Sequence, residues 1–265
     1  MIPELLARWK QGHRTSAWPE VPPTLPDRFR GLPTLQPGKC QVGCRDCAEA
    51  CPTDAIALGA EGGAPTLDLG RCLFCTDCVE ACPEGALTFS TDHRLATRTR
   101  DHLLLRGQGL ELARALDEQA RRLFGRSLKL RQVSAGGCNA CESDLNVLNT
   151  VVFDLARFGI QFVASPRHAD GLVITGPVSQ NMRLALQKTW EAVPAPKLVI
   201  AVGACAISGG PYIDHPEVLN GASAVVPVDL FIPGCPPHPW TILDGLLRLL
   251  GTVAVGLRPT PHPEQ

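Results

Sequence analysis

Residues 128–251 alternate two kinds of apolar pattern. Short β-rich runs (LKLRQV, IQFVAS, GLVIT, KLVIAV, VDLFI) are separated by stretches with helical spacing (CESDLNVLNTVVFDLARF, NMRLALQKTWEAV, WTILDGLLRLL). Such alternation predicts an α/β domain with a mostly parallel sheet. The uninterrupted LVIAV at 198–202 suits a central strand buried on both faces. Upstream, LELARALDEQARRLF at 110–124 spaces its apolar residues at three and four, which predicts a helix in a linker. The first forty residues are rich in proline and read as irregular. The apolar stretch 242–257 is interrupted by Asp244 and Arg248 and is shorter than the roughly 18 to 20 residues a bilayer span needs. It predicts an amphipathic helix followed by a strand.

Composition narrows the function. With 45% hydrophobic and 19% charged residues, the 265-residue chain can bury a core. A net charge of -1 argues against a nucleic-acid binder held by counterion release and against an acidic disordered chain. The opening MIPELLARWKQGHRTSAWP has no secretory h-region, cleavage site or twin arginine, so the expected location is the cytosol, where thiols stay reduced. The 12 cysteines are then better read as metal ligands than as disulfides, and they divide into three sets of four. Nicotinamide, flavin, nucleotide and Ser–His–Asp motifs are not found.

Eight cysteines lie in an internal repeat. CQVGCRDCAEACPTDAIAL at 40–58 aligns with CLFCTDCVEACPEGALTF at 72–89, and Cys44, Cys47 and Cys51 recur with unchanged spacing as Cys75, Cys78 and Cys82. Residues 72–83 match the C-x₂-C-x₂-C-x₃-C-P run that binds [4Fe–4S] clusters in bacterial ferredoxins, where the fourth cysteine ligates the other cluster. Two copies therefore predict crossed sites: Cys40, Cys44, Cys47 and Cys82 at one, Cys72, Cys75, Cys78 and Cys51 at the other. Zinc sites usually place a longer loop between two C-x₂-C pairs. The first copy departs by one residue, C-x₃-C at Cys40, which predicts a small bulge there.

The other four cysteines, Cys138, Cys141, Cys205 and Cys235, each follow a predicted strand. In an open α/β sheet, ligand sites form beyond the carboxyl ends of the strands. The four thiols are thus expected on one sheet edge, as ligands of a third [4Fe–4S] cluster.

SAGGCNACESDL, GACAISGG and PGCPPHP together resemble the small subunit of membrane-bound, energy-converting [NiFe]-hydrogenases and formate hydrogenlyase. They are also similar to the complex I subunit that holds the terminal cluster beside the quinone site. This likeness covers about 128–251; residues of about 24–90 resemble the two-cluster ferredoxin subunit of the same complexes. The resemblance implies a fusion of the two. It would comprise a proline-rich extension (1–38), an α+β ferredoxin-like domain (39–90), a linker with a helix (91–127) and an α/β flavodoxin-like domain (128–265). It further implies an electron-relay subunit with no catalytic residues of its own, working in an oxidoreductase complex. Its expected partners are a large catalytic subunit (of [NiFe]-hydrogenase or its complex I counterpart), membrane subunits, and a protein donor or acceptor. The expected location is the cytoplasmic face of the inner membrane, held there through partner subunits. Two details lean to hydrogenase: Cys138 and Cys141 are spaced C-x₂-C with Glu142 next, and Trp240 follows the P-P-x-P stretch where complex I subunits usually carry Glu. CESDLNVLN lacks the continuation expected of formate hydrogenlyase.

Some residues keep two readings. Glu142 is either a proton relay or interface organiser beside the cluster, or an acid favoured by the helix dipole. His238 is either a cluster neighbour or a surface-loop histidine. Arg157, Arg167 and His168 are read as solvated.

Overall fold

The computed structural model describes residues 2–41, 43–59, 65–106, 109–125 and 127–253. Its elements run α1 (Ile2–Gln11), β1 (Pro33–Leu35), α2 (Asp46–Glu49), β2 (Ile56–Ala57), β3 (Thr66–Asp68), α3 (Asp77–Glu80), β4 (Leu87–Phe89), β5 (Leu104–Leu105) and α4 (Glu118–Phe124). They continue as β6 (Leu128–Ser134), α5 (Ala140–Val147), β7 (Ile160–Phe162), β8 (Gly171–Thr175), α6 (Gln180–Ala192), β9 (Leu198–Val202), α7 (Ala204–Ser208), β10 (Leu230–Ile232) and α8 (Pro239–Leu250).

The five strands β6–β10 form one sheet in the order β10-β9-β8-β6-β7, with every pairing parallel. This is the 2-1-3-4-5 order of a flavodoxin-like sheet, in which the connections reverse direction between the first and third strands. Here that point lies between β6 and β8. β8 and β9 are buried along their whole length, as all-apolar runs in a two-sided parallel sheet must be.

The cysteine-rich part is built differently. β1 pairs antiparallel with β4, β3 lies between β2 and β5, and α2 and α3 are single turns. The repeat is visible in the backbone. Gly43 and Phe74, equivalent positions of the two copies, both have positive φ (83° and 55°), as do Asp54 and Gly85 (49° and 59°). Phe74 and Asp54 therefore adopt a conformation that costs a side chain energy, because the winding of the repeat requires it.

The two parts share one hydrophobic cluster, which includes Cys47, Leu69 and Phe74 as well as Ala135, Leu172 and Ile207. Ser208 on α7 donates to the Gly70 carbonyl at 2.8 Å, beside Cys72. Residues 95–105 stitch the halves together. Thr97 exchanges backbone hydrogen bonds with Phe231 of β10, and β5 completes the sheet of β2 and β3. Arg100 holds Asp68 with two hydrogen bonds of 2.8 and 2.6 Å.

Three expectations need correcting. The linker helix is only seven residues long. The Asp117 side chain caps it by accepting from the Ala120 N–H at 2.9 Å. Residues 109–117 before it have no regular secondary structure, with Ala113 N–H bonded to the Ala96 carbonyl and Leu116 N–H to that of Leu249. Second, α8 does not expose a polar face as a surface amphipathic helix would: all twelve of its residues are buried. Asp244 and Arg248 lie one turn apart and pair with each other at 2.7 Å in the interior. The strand expected after α8 falls mostly in 254–257, outside the described residues.

Third, the proline-rich extension is not simply irregular. It begins with α1 and then inserts Trp18, 4% exposed, into the core of the α/β part against Phe158 and Trp240. Arg157, read from sequence as solvated, secures it by donating to the carbonyls of Ser16 (2.7 Å) and Trp18 (2.9 Å). Trp18→Ala is expected to lower unfolding stability by about 3–5 kcal/mol, the usual cost of emptying a buried aromatic site. Denaturant titration of the variant would measure it, and a change under about 1 kcal/mol would mean that the extension is not part of the folded core.

Candidate functional site

Each copy of the repeat carries its third cysteine in a single helical turn and its fourth just beyond it. Cys47 lies in α2 and Cys78 in α3. After the fourth cysteine the chain doubles back so that a peptide N–H meets the sulfur. Ala55 N–H donates to Cys51 Sγ at 3.2 Å, and Ala86 N–H to Cys82 Sγ at 3.3 Å. Phe74 N–H reaches Cys72 Sγ at 3.4 Å. Donors of this kind stabilise sulfur that carries negative charge.

The electrostatics sort the thiols. Cys47 is pushed up first by burial, then by Cys40, Cys44 and Cys82. These four also line one cavity, with Leu35, Ala86 and Leu87. Cys72 is pushed up to about 12, first by burial, with Cys78, Cys51 and Cys75 adding to it. Cys78 reaches about 11 through burial and then Cys51, Cys75 and Cys47. Cys51 thus sits among the thiols of the second copy, and Cys82 among those of the first.

In the α/β part the four cysteines come from three strand ends. Beyond β6 the loop carries Cys138 and leads into α5, whose first turn holds Cys141. Beyond β9, Gly203 leads into α7 with Cys205; beyond β10, Gly234 precedes Cys235. Burial raises Cys141, and Cys205, Glu142, Cys235 and Cys138 raise it further. Burial, then Cys235 and Cys138, takes Cys205 up to about 12. The glycines make room for sulfur: a Cβ on Gly203 would lie 2.6 Å from Cys141 Sγ, and one on Gly210 2.8 Å from Cys205 Sγ. Both glycines have positive φ, so a side chain there is disfavoured twice over. Cys138 and Cys235 are exposed, so this sheet edge opens outward.

The three groups adjoin. Cys47 contributes to the raised pKa of Cys78, linking the first and second. Cys75 contributes to that of Cys235, linking the second and third. Between these last two, Arg30 donates to the carbonyls of Phe74 (2.8 Å) and Cys75 (3.0 Å). A groove of about 380 Å³ runs there past Phe74 and Cys235. Sequence reading gave no sign of Arg30, because its partners lie far along the chain, in the second copy of the repeat.

Glu142 and His238 resolve in part. Glu142 is 5% exposed and accepts from Thr175 Oγ1 at 2.7 Å, so it joins α5 to the end of β8. His238 is not a free loop residue: its Nδ1 accepts from Trp240 N–H at 3.2 Å and caps α8, and its ring meets Phe29 edge-on. Trp240 is buried against Trp18 and Phe153. It packs there against the chain's own extension.

The residues present fit a sulfur-bridged iron cluster. All three groups are thiol-only, N–H groups or close-approach glycines face their sulfurs, and gathered thiols become thiolates when a bound cation offsets their charge. Among the described residues no group of three or more His, Cys, Asp or Glu side chains is placed to hold a metal ion.

Comparison with known proteins gives two family matches. Residues 138–249 match the NADH ubiquinone oxidoreductase, 20 Kd subunit family, and residues 34–93 match a 4Fe-4S dicluster domain. The probable membrane-bound hydrogenase subunit mbhJ of Pyrococcus furiosus is 38% identical over 144 residues, covering 54% of this chain and 86% of that protein. Formate hydrogenlyase subunit 7 of Escherichia coli is 45% identical over 126 residues, 48% of this chain and 49% of its own length. An NADH-quinone oxidoreductase subunit of Heliobacterium modesticaldum is 42% identical over 116 residues, 43% of this chain and 66% of its own.

Proposed function

The chain belongs to the NADH ubiquinone oxidoreductase 20 Kd subunit family, and on that premise we propose that it is the electron-relay subunit of a membrane-associated hydrogenase complex, carrying three [4Fe–4S] clusters between a protein donor or acceptor and a large catalytic subunit. An electron-transfer role in a hydrogenase or complex I-like oxidoreductase follows from the family and its relatives. The observation that carries the finer reading is the sorting of the thiols into three adjoining groups.

On this reading Cys40, Cys44, Cys47 and Cys82 hold one cluster, Cys51, Cys72, Cys75 and Cys78 a second, and Cys138, Cys141, Cys205 and Cys235 a third. When bound, such clusters supply one-electron transfer at potentials set by hydrogen bonds to sulfur and by solvent exclusion. The protein provides both. The N–H groups of Ala55, Ala86 and Phe74 are aimed at sulfur, and buried Leu69, Leu87 and Phe74 keep water away. Bond-making chemistry belongs to the partner. The large subunit would meet the edge where Cys138 and Cys235 are exposed.

A complex I-like quinone oxidoreductase subunit is the second reading, favoured by the family match itself. C-x₂-C followed by Glu142, and Trp240 after the P-P-x-P stretch, lean toward hydrogenase. A soluble ferredoxin-type carrier is the third, and cysteines left exposed at a sheet edge speak against it.

Purification of the tagged chain from its host's membranes tests this. The expected result is a co-purifying large subunit with two cysteine pairs, bound nickel, and hydrogen oxidation or evolution with a redox dye. A large subunit without those pairs that reduces quinone would replace the hydrogenase reading with the second. A chain that purifies with no large subunit would overturn both.

A further inference from the structure

The helix α1 has no buried residue, yet its sequence IPELLARWKQ carries a strong apolar stripe. Ile2, Leu5, Leu6 and Trp9 are 73%, 68%, 49% and 82% exposed. At about 100° per residue, these four share an arc of roughly 100° on one side of the helix. Arg8 and Lys10 fall just outside its two edges, while Glu4 and Gln11 lie opposite. His13 and Arg14 follow the helix.

Where the segment rejoins the body, Ser16 N–H bonds to the Val152 carbonyl at 2.9 Å. Val151 and Val152 are themselves exposed, at 68% and 43%. The apolar stripe thus leaves the domain beside a second exposed apolar spot. Arg157 fixes that exit through Ser16 and Trp18.

From this arrangement we propose that α1 is an in-plane anchor that binds the surface of an anionic lipid bilayer directly. Ten residues span only about 15 Å, far short of a bilayer core of about 30 Å, so the helix can lie on a membrane but not cross it. No helix among the described residues is long and apolar enough to cross. Cations on both flanks of the stripe can extend their stems upward to phosphates while the apolar face sinks between headgroups, and the one acid of the helix points away. The exposed Trp9 within the stripe suits the headgroup boundary, where one end of the ring stays wet.

Vesicle flotation of the cluster-loaded full chain tests the proposal, since aggregates do not float. With vesicles of phosphatidylcholine containing a quarter phosphatidylglycerol, the chain is expected to rise with the lipid. Leu5→Asp together with Leu6→Asp should cut the floated fraction at least about tenfold. Arg8→Glu with Lys10→Glu should abolish the preference for anionic over pure phosphatidylcholine vesicles. Iron content and circular dichroism should not change in either variant, because α1 contributes nothing to the core, and this separates failure of the anchor from failure of the relay reading. A wild-type chain that does not float, or variants that float equally well, would overturn the proposal. Normal iron with loss of a co-purifying subunit, and no flotation of wild type, would assign the stripe to a protein interface instead.

Discussion

Replacing Cys141 with serine is expected to reduce the iron of the purified chain by a third and to remove electron exchange with the large subunit. Cys141 is the most enclosed of its group, set in the first turn of α5 with Gly203 closed against its sulfur. Serine has nearly the same size, so the fold has no reason to fail. Its hydroxyl is nonetheless a harder and more weakly ionised donor than a thiolate, and poorly suited to iron–sulfur ligation. Losing even a group that supports a ligand costs about 10–100-fold in metal affinity or activity, so losing the ligand should cost roughly a hundredfold or more in turnover. The first two clusters should still be reduced by dithionite, because their cysteines lie in the other part of the chain. Glu142→Gln is the contrast: it keeps an acceptor for Thr175 and should retain all the iron. If Cys141→Ser kept full iron and turnover, the sheet-edge site would not be a relay site.

The second large effect concerns crossing in the repeat. Cys82→Ser is expected to remove the cluster of Cys40, Cys44 and Cys47 while sparing that of Cys72, Cys75 and Cys78. Cys51→Ser should do the reverse. The reason lies in the neighbourhoods: Cys82 adds to the raised pKa of Cys47, and Cys51 to those of Cys72 and Cys78. EPR of the reduced variants, each compared with the variant of a cysteine in the opposite copy, separates the cases. Loss of the cluster in the same copy as the substitution would mean that each repeat closes its own site.

Legibility in the sequence followed the range of the physics. The cysteine spacings are local, and a repeat of ligand types became a repeat of backbone conformation at Gly43/Phe74 and Asp54/Gly85. LVIAV is buried at every residue, so its apolar run announced a central strand without help from neighbours; GLVIT, read only as a strand, is buried throughout as well. What could not be read depended on distant covering. WTILDGLLRLL shows two charges and looks half exposed, but the sheet, the segment at Leu116 and the Trp18 extension close over α8, and its charges pair internally. Residues 110–116 have a helical period, yet they form no helix, and backbone bonds from Ala113 to Ala96 and from Leu116 to Leu249 tie that stretch to distant parts of the chain. The tethering roles of Arg157 and Arg30 rest on partners at Ser16, Trp18, Phe74 and Cys75, all remote in the chain. No local pattern carries such information.

The central claim, three clusters held by twelve thiols, is tested most directly by iron and acid-labile sulfide assays on anaerobically purified, full-length chain. Four iron per cluster predicts about twelve iron and twelve sulfide, with little zinc. A reproducible value near eight would remove the sheet-edge cluster, and zinc in place of sulfide would contradict the account altogether.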